Sequence, residues 1–177
     1  MPGHLLTVEE YAALDGTGFT ELVEGRVVTS PGSGRRHDVA VCLLAAQLER
    51  QLPPGLAFVV RNEVDLRLAP HGEPGFARRP DVLIVTRAAL TRGDGLFRAD
   101  EVVVVAEVVA ADSRRTDYQV KHDEYADAGI PHYWIVDVRE AVSLVACQGY
   151  RDAPAVSGTF VAEVPFPVRI DLDALVP

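Results

Sequence analysis

Two acidic residues stand inside stretches of the sequence that are otherwise apolar. Asp81 begins the run DVLIVT, and Glu107 lies within EVVVVAEVVA. Apolar runs of this kind form buried strands, where an unpaired carboxylate is costly because it loses its hydration. Lys121 follows on the charged segment DYQVKHDEYADAG. These three residues indicate a pair of carboxylates that holds a hard divalent cation beside an ammonium group.

Such a set of residues is suited to hydrolysis of a phosphodiester. Mg²⁺ (or Mn²⁺) prefers oxygen ligands, usually one or two carboxylates together with water and phosphate. Asp81 and Glu107 supply the carboxylates, and the main-chain carbonyl of Val108 is a further candidate ligand. A bound ion activates water and neutralises charge on the phosphate. Lys121 can orient the water or stabilise that charge, and Tyr125, one helical turn later, can help to position the lysine.

Each of these residues also has an ordinary structural interpretation. Asp81 follows Pro80 and can cap the start of a strand, and Glu107 can pair with an arginine. Lys121 lies four residues after Asp117, a spacing that forms helical ion pairs of small energy. The combination of two acids in apolar strands and one lysine favours the site.

The use of basic residues adds weight to Lys121. It is the only lysine, whereas the other 16 basic residues are arginines. Arginine does not replace a compact, titratable ammonium group, because guanidinium is planar and stays charged. A single lysine that persists against this bias indicates a chemical role at position 121.

The composition limits the class of protein. The chain has 177 residues, 48% hydrophobic and 24% charged, which predicts one folded domain spanning residues 1–177. No apolar run reaches the roughly 18–20 residues of a membrane helix, so no membrane partner is expected. The N-terminal segment lacks the basic region of a signal peptide. Cys42 and Cys147 have neither metal-type nor redox-type spacing and suit reduced packing residues, so we expect a cytoplasmic protein.

Any contact with nucleic acid must come from local basic patches, since the formal net charge is −9. The candidates are three arginine pairs, with His37 directly after the first: Arg35 and Arg36, Arg78 and Arg79, and Arg114 and Arg115. The alternatives are scattered, solvated charges for the arginines and a capping or solvent-facing role for His37.

The pattern of the chain predicts alternating strands and helices. Helices are expected at Thr7–Leu14, where Thr7 and Glu10 form a capping-box pattern, at His37–Leu52 and at Asp112–Ala128. Ser30–Gly34 is expected to be a loop, and Arg87–Asp100 a polar connection. Strands are expected at the following positions: a Glu21–Thr29 hairpin turning at Glu24 and Gly25, one or two strands in Ala57–Leu68, then Asp81–Thr86, Val102–Val109, His132–Asp137 and Ala141–Cys147, with weaker signals after Tyr150.

The predicted strands give the two acids a definite geometry. Asp81 lies at the start of one strand and Glu107 near the end of the next. If the two strands pair antiparallel, start meets end and the carboxylates become neighbours. Other chemistries lack their motifs: the sequence contains no HExxH, no GxGxxG before a helix, and no Ser or Cys in a nucleophile context.

Several motifs, in order along the chain, resemble the Uma-two family of restriction-endonuclease-like proteins, within the PD-(D/E)XK nuclease superfamily. They are TVEEY, ELVEG, SP followed by His37, RPDV, AEVV, the Lys121 helix and IPHYWIVD. The resemblance covers about Thr7 to Val145. It implies an α/β fold with a restriction-endonuclease-like core, in which helices flank a mixed central β-sheet. An N-terminal hairpin and C-terminal β additions extend that core.

The same resemblance implies a divalent-metal-dependent nuclease, with DNA the more expected substrate and a homodimer possible. The superfamily acids fall on Asp81 and Glu107, and Glu21 becomes a supporting acid. The superfamily lysine normally lies two residues after the glutamate, where this chain has Val109. Lys121 resembles the relocated lysine of some members. A non-catalytic module that keeps the fold is the alternative.

Overall fold

The computed structural model of the protein describes residues 3–15, 18–29, 34–93, 95–110 and 113–176. Most of the Ser30–Gly34 loop and the helix start at Asp112, both expected from the sequence, lie outside these residues. The helices are α1 (Val8–Ala12), α2 (Arg35–Glu49), α3 (Arg87–Arg92) and α4 (Lys121–Asp127), with a π-helical turn at Thr116–Val120. The first eight strands are β1 (Thr20–Val23), β2 (Arg26–Thr29), β3 (Leu56–Val60), β4 (Val64–Asp65), β5 (Ala77–Arg78), β6 (Val82–Thr86), β7 (Phe97–Arg98) and β8 (Val102–Val109). The later strands are β9 (His132–Asp137), β10 (Ser143–Gln148), β11 (Arg151–Asp152), β12 (Val156–Ser157), β13 (Thr159–Ala162) and β14 (Val168–Asp171).

The central sheet is mixed, in the order β11-β10-β9-β8-β6-β3, with β12 also paired to β10. Strands β6 and β8 run antiparallel, whereas β8 and β9 run parallel. The parallel pair requires a crossover, which the π-helical turn and α4 supply. Helices flank this mixed sheet, as the sequence predicted for the α/β class.

Strand β8 shows why this sheet forms. Its sequence is almost all valine, a β-branched residue that suits a pleated, buried strand. Val104, Ala106 and Val108 point into the core on one face, and Val105 and Val109 into the core on the other. Strands buried on both faces read as continuous apolar runs, so the position of Glu107 among these valines is exceptional.

The two faces of the sheet are covered by different elements. Helix α2 packs with the C-terminal strands over one face, through Ala40, Val41, Leu44 and Leu48. The other face contacts α3 and α4, where Tyr125 is fully buried. Glu107 points to this second face, beneath α4.

A second sheet, in the order β2-β1-β5-β4-β7, lies beside the central sheet. The expected hairpin is present, with Leu22 facing Val27 and a turn at Glu24 and Gly25. Helix α1 begins at Thr7 with both bonds of the capping box, as predicted. Strands β13 and β14 form a separate two-stranded sheet, which is the C-terminal β addition.

The prediction of a polar connection over residues 87–100 was wrong in one respect. Residues 87–92, RAALTR, form α3, which ends at Gly93 in the left-handed region with φ 77°. A helix of six residues is too short to show hydrophobic periodicity, although its alanines and leucine favour helix. Helix α2 also begins two residues earlier and ends three residues earlier than predicted.

Candidate active site

Pairing between β6 and β8 brings the two predicted acids together. Val82 faces Ala106 in the antiparallel register, so the next step places Asp81 opposite Glu107. The main-chain N–H of Val108 donates a hydrogen bond of 2.9 Å to Asp81 Oδ2. Asp81 therefore caps the end of the ladder and also faces the site, and the two interpretations of this residue hold together.

His37 is the second group bound to Asp81. Its Nε2 lies 3.0 Å from Asp81 Oδ2, and its Nδ1 lies 3.3 Å from Asp38 Oδ1. Burial lowers the pKa of His37, but the hydrogen bonds and charges of the two aspartates outweigh this, so the pKa lies above its ordinary value. The solvent-facing alternative for His37 was wrong, because the imidazole is buried against Asp81. Its contact with nucleic acid stays a prediction.

Glu107 receives two hydrogen bonds on one oxygen. Lys121 Nζ and the Tyr125 hydroxyl each donate to Oε1 at 2.8 Å. Burial, together with the nearby charges of Asp81 and Asp117, raises the pKa of Glu107 above its ordinary value, despite the opposing effect of Lys121. The Glu107 carboxyl therefore takes up a proton more readily than an exposed glutamate.

Lys121 lies at the centre of three carboxylates. Besides Glu107, its Nζ lies 3.5 Å from Asp117 Oδ1 and 3.6 Å from Glu21 Oε1. Burial lowers the pKa of Lys121, but the three carboxylates outweigh it, so the pKa lies above its ordinary value. The ammonium group thus stays charged, and the ordinary i,i+4 pair with Asp117 is part of the site.

The π-helical turn sets the position of this lysine. Asp117, which lies in the turn, is 1% exposed and accepts a short hydrogen bond from Ser113 Oγ. The turn leads directly into α4, whose first residue is Lys121. Tyr125 follows four residues later, so both side chains project from the same face of the helix onto Glu107. Wide π-helical turns are rare and often occur at functional sites.

Glu21 and Arg78 join the second sheet to α4. Arg78 donates from Nη1 to Glu21 Oε2 at 2.8 Å, and from Nε and Nη2 to the two oxygens of Glu124 at 2.6 and 2.7 Å. Burial raises the pKa of Glu21, but Lys121 and Arg78 outweigh it and lower the pKa below its ordinary value. The guanidinium group of Arg78 is buried and bound to two carboxylates, and the phosphate contact expected of this residue stays a prediction.

These side chains surround one open cleft. Its lining comes from both sheets, the start of α2 and the π-helical turn: Phe19, Glu21, His37, Arg61, Arg79, Asp81, Glu107, Val108, Ala110, Ser113, Thr116, Asp117 and Lys121. The cleft therefore contains four carboxylates together with two arginines, one histidine and the lysine.

Arginines lie in and around this cleft. Arg79 bonds Glu63 at 3.2 Å and covers the ring of Phe19. Arg114 and Arg115 are exposed beside Ser113 and Thr116, two residues of the lining. Arg35 and Arg36 are exposed at the start of α2, next to His37. Arg79 lines the cleft, and the two exposed arginine pairs stay candidates for contact with nucleic acid.

Sequence reasoning missed two residues of the site. Asp117 was considered only as an ordinary ion-pair partner of Lys121, and Arg61 was not considered. Arg61 adopts a positive φ of 53° and pairs with Asp38, and neither property shows in the sequence. Asp117 had a usable signal, because it precedes the only lysine by one helical turn.

The donor set of the cleft fits a hard divalent cation. The hydrogen bonds described for Asp81 fall on Oδ2, and those for Glu107 on Oε1. The other oxygen of each carboxylate is then the candidate ligand for a cation. Oxygen ligands of this kind suit Mg²⁺ or Mn²⁺ and not a soft metal.

The mixed sheet carries two acids on adjacent antiparallel strands, and the crossover helix carries a lysine. The fold is shared with a solved structure described as a putative nuclease belonging to DUF820 from Anabaena variabilis ATCC 29413. The TM-score is 0.73 at 12% sequence identity, over 96% of this chain and 97% of that chain.

Residues 8–173 match the family model Uma2, described as "Putative restriction endonuclease", and the chain belongs to this family. The resemblance found in the sequence motifs is therefore confirmed. A comparison with curated proteins gave no match. Among the described residues, no helix is long and apolar enough to cross a membrane.

Proposed function

We propose that the protein is a divalent-metal-dependent endonuclease that hydrolyses phosphodiester bonds of nucleic acid, with DNA the preferred substrate. The observation that carries the proposal is the convergence of Asp81, Glu107 and Lys121 in one cleft, with Lys121 Nζ 2.8 Å from Glu107 Oε1. The proposed enzyme acts in the cytoplasm. A homodimer would supply two such clefts for two strands.

Asp81, Glu107 and the main-chain carbonyl of Val108 would hold Mg²⁺ or Mn²⁺. When bound, such an ion supplies Lewis-acid stabilisation of the charge that develops on the phosphate. The other groups of the site position the two carboxylates. His37 and the Val108 N–H fix the Asp81 carboxylate, while Tyr125 and Lys121 fix that of Glu107. Rigidly held groups keep the reacting atoms aligned.

Lys121 has the direct role in this proposal. Its ammonium group carries three N–H donors on a flexible stem, and Glu107 takes one of them. The others lie toward Glu21 and Asp117 at longer distances of 3.6 and 3.5 Å. Those longer contacts can be exchanged for a water molecule or a phosphate oxygen, so Lys121 can orient the attacking water and stabilise the transition state.

Cleavage assays on plasmid and oligonucleotide substrates with Mg²⁺ or Mn²⁺ test the proposal. We expect Asp81→Asn, Glu107→Gln and Lys121→Met each to lower the rate at least about 100-fold, because each removes transition-state charge stabilisation. Glu49→Gln and Asp173→Asn make the same chemical changes at exposed positions and should keep full activity. Cleavage that continues in a chelator, or in Asp81→Asn, would contradict the proposal.

A non-catalytic module is the second candidate, and one observation favours it. The position two residues after Glu107 is Val109, which is fully buried among apolar side chains. A module without activity would bind neither Mg²⁺ nor Mn²⁺. Calorimetry distinguishes the two candidates, because a site that binds Mn²⁺ and is lost in Glu107→Gln supports the enzyme.

A further inference from the structure

A second cluster of potential metal ligands lies beside the first turn of α4 and includes His122, the residue after Lys121. His122, Cys147 and Asp152 each present one ligand atom, and these atoms lie within 4.8 Å of one another. Cys147 and Asp152 face each other across the β10–β11 hairpin, and His122 approaches from the helix. The cluster therefore joins two elements that are distant in the sequence.

The imidazole of His122 has a carboxylate at each of its ring nitrogens. Its Nε2 lies 2.8 Å from Asp152 Oδ1, and its Nδ1 lies 3.0 Å from Asp123 Oδ1. A carboxylate on one ring nitrogen fixes the tautomer and leaves the other nitrogen as a ligand, an arrangement common around zinc. Asp123 can fill this supporting role while Asp152 shares the metal.

The sulfur distinguishes this cluster from the cleft. Cys147 is 2% exposed, and burial together with Asp152 raises the pKa of its thiol. A thiol with a raised pKa is a poor nucleophile and a poor target for oxidation, so catalysis and redox sensing do not account for it. A divalent metal can nevertheless bind it by displacing the thiol proton.

We propose that His122, Cys147 and Asp152 form a binding site for a borderline metal ion, Zn²⁺ being the closest match. Zinc binds nitrogen, sulfur and oxygen ligands at about 2.0–2.3 Å in tetrahedral geometry, and three protein ligands leave one position for water. The Cys147 thiol loses its proton to solvent as the metal–sulfur bond forms, and His122 binds through neutral Nε2. Mg²⁺ is not expected there, since it rejects sulfur and nitrogen ligands.

The position of the site gives it a structural role. His122 directly follows Lys121, so a metal that ties His122 to the β10–β11 hairpin also holds α4 in place. Tyr133, which faces Cys147 across β9 and β10, contacts the ring of Tyr125 with a centroid distance of 5.0 Å. The proposed ion would thus stabilise the helix that carries Lys121 and Tyr125.

Titration with Co²⁺ tests the proposal on the whole chain, because thiolate bonded to cobalt gives a near-ultraviolet charge-transfer band. We expect one equivalent of Co²⁺ to produce that band, Zn²⁺ to displace it, and Mg²⁺ to leave it unchanged. Cys147→Ser should abolish the band, whereas Cys42→Ser, which changes the exposed free cysteine of α2, should keep it. Glu107→Gln should also keep it.

Two further variants keep the test decisive if Cys147→Ser fails to fold. The side chain of Asp152 is 54% exposed, so Asp152→Asn should fold and bind Zn²⁺ at least about tenfold more weakly. His122→Gln should do the same. No thiolate band at saturating Co²⁺, a band that depends on Cys42, or unchanged zinc affinity in Asp152→Asn would each overturn the proposal.

Discussion

Lys121 lowers the pKa of the acids around it, but the net shift differs between Asp117 and Glu21, its two more distant partners. Burial raises the pKa of Asp117, and its bonds to Ser113 and Lys121 do not compensate. For Glu21, Lys121 and Arg78 outweigh burial and lower the pKa. Two carboxylates beside one ammonium group therefore contribute to stability with opposite dependence on pH.

We predict that Glu21→Gln destabilises the metal-free protein near neutral pH and loses this effect as the pH falls below about 4.5. A lowered folded-state pKa contributes stability that is present above the unfolded value of 4.5 and disappears through the folded value. Denaturant unfolding at several pH values measures the difference from the unchanged protein. A difference that grows on acidification would contradict the prediction.

Asp117→Asn should show the reverse trend. Because the folded-state pKa of Asp117 is raised, the stability it contributes is fully present below the unfolded value of 3.8 and declines as the pH rises through the folded value. The unchanged protein should therefore lose stability relative to Asp117→Asn as the pH rises above 3.8. If the stability of both variants relative to the unchanged protein changed with pH in the same direction, the assigned directions of the two pKa shifts would be wrong.

The Tyr125 hydroxyl has an effect that can be separated from packing. Tyr125→Phe keeps the ring against Tyr133 but removes the 2.8 Å bond to Glu107. We expect a loss of about 1 kcal/mol in the free energy of unfolding, together with weaker Mn²⁺ binding and slower cleavage. Tyr11→Phe removes a comparable bond to the carbonyl of Thr20. Tyr11→Phe should therefore lose about as much stability as Tyr125→Phe, but its Mn²⁺ affinity and cleavage rate should stay unchanged.

Among the elements, the β1–β2 hairpin depends on a close approach at its turn. Gly25 has φ 72°, and a Cβ there would lie 2.8 Å from Pro74 Cβ and 2.9 Å from Leu5 Cβ. Its main chain also bonds Leu6 and Gly75. This turn holds the strand that delivers Glu21 to the cleft.

Gly25→Ala should destabilise the protein by about 2–4 kcal/mol, because backbone strain and crowding add. Gly72→Ala is the matched control, with φ 85° but nothing within 4 Å of the added Cβ. It should cost about 1 kcal/mol from backbone strain alone. Thermal or denaturant unfolding measures both, and equal losses would show that the crowding at Gly25 relaxes freely.

The sequence predicted the elements of the central sheet well because their signals are local. Val102–Val109 and His132–Asp137 have the predicted bounds, and the antiparallel pairing of β6 with β8 follows from two short apolar runs. The π-helical turn was not predictable, since it has no known spacing rule. The burial of His37 and Arg78 depends on partners 44 and 46 residues away, which a local pattern cannot reveal.

For the whole molecule, nucleic-acid binding must overcome a formal net charge of −9. The exposed arginines are the local positive charges that could bind phosphate despite this net charge. Because such contacts release counterions, binding should weaken steeply as the salt concentration rises.

We predict that the double change Arg114→Gln and Arg115→Gln weakens duplex DNA binding and reduces the slope of log K against log salt by about 1.8, or 0.9 for each lost phosphate contact. Arg50→Gln with Arg169→Gln is the control, because both residues are exposed near the far end of α2. Fluorescence anisotropy over a salt series measures the slopes. If both double variants had the same slope of log K against log salt, Arg114 and Arg115 would not contact the DNA phosphates.

The burial of the only lysine also has a practical consequence. Lys121 is 9% exposed and held by three acids, so amine-reactive dyes should modify its ε-amino group slowly. Slow labelling of the ε-amino group, followed by mass spectrometry, would then report how often α4 opens.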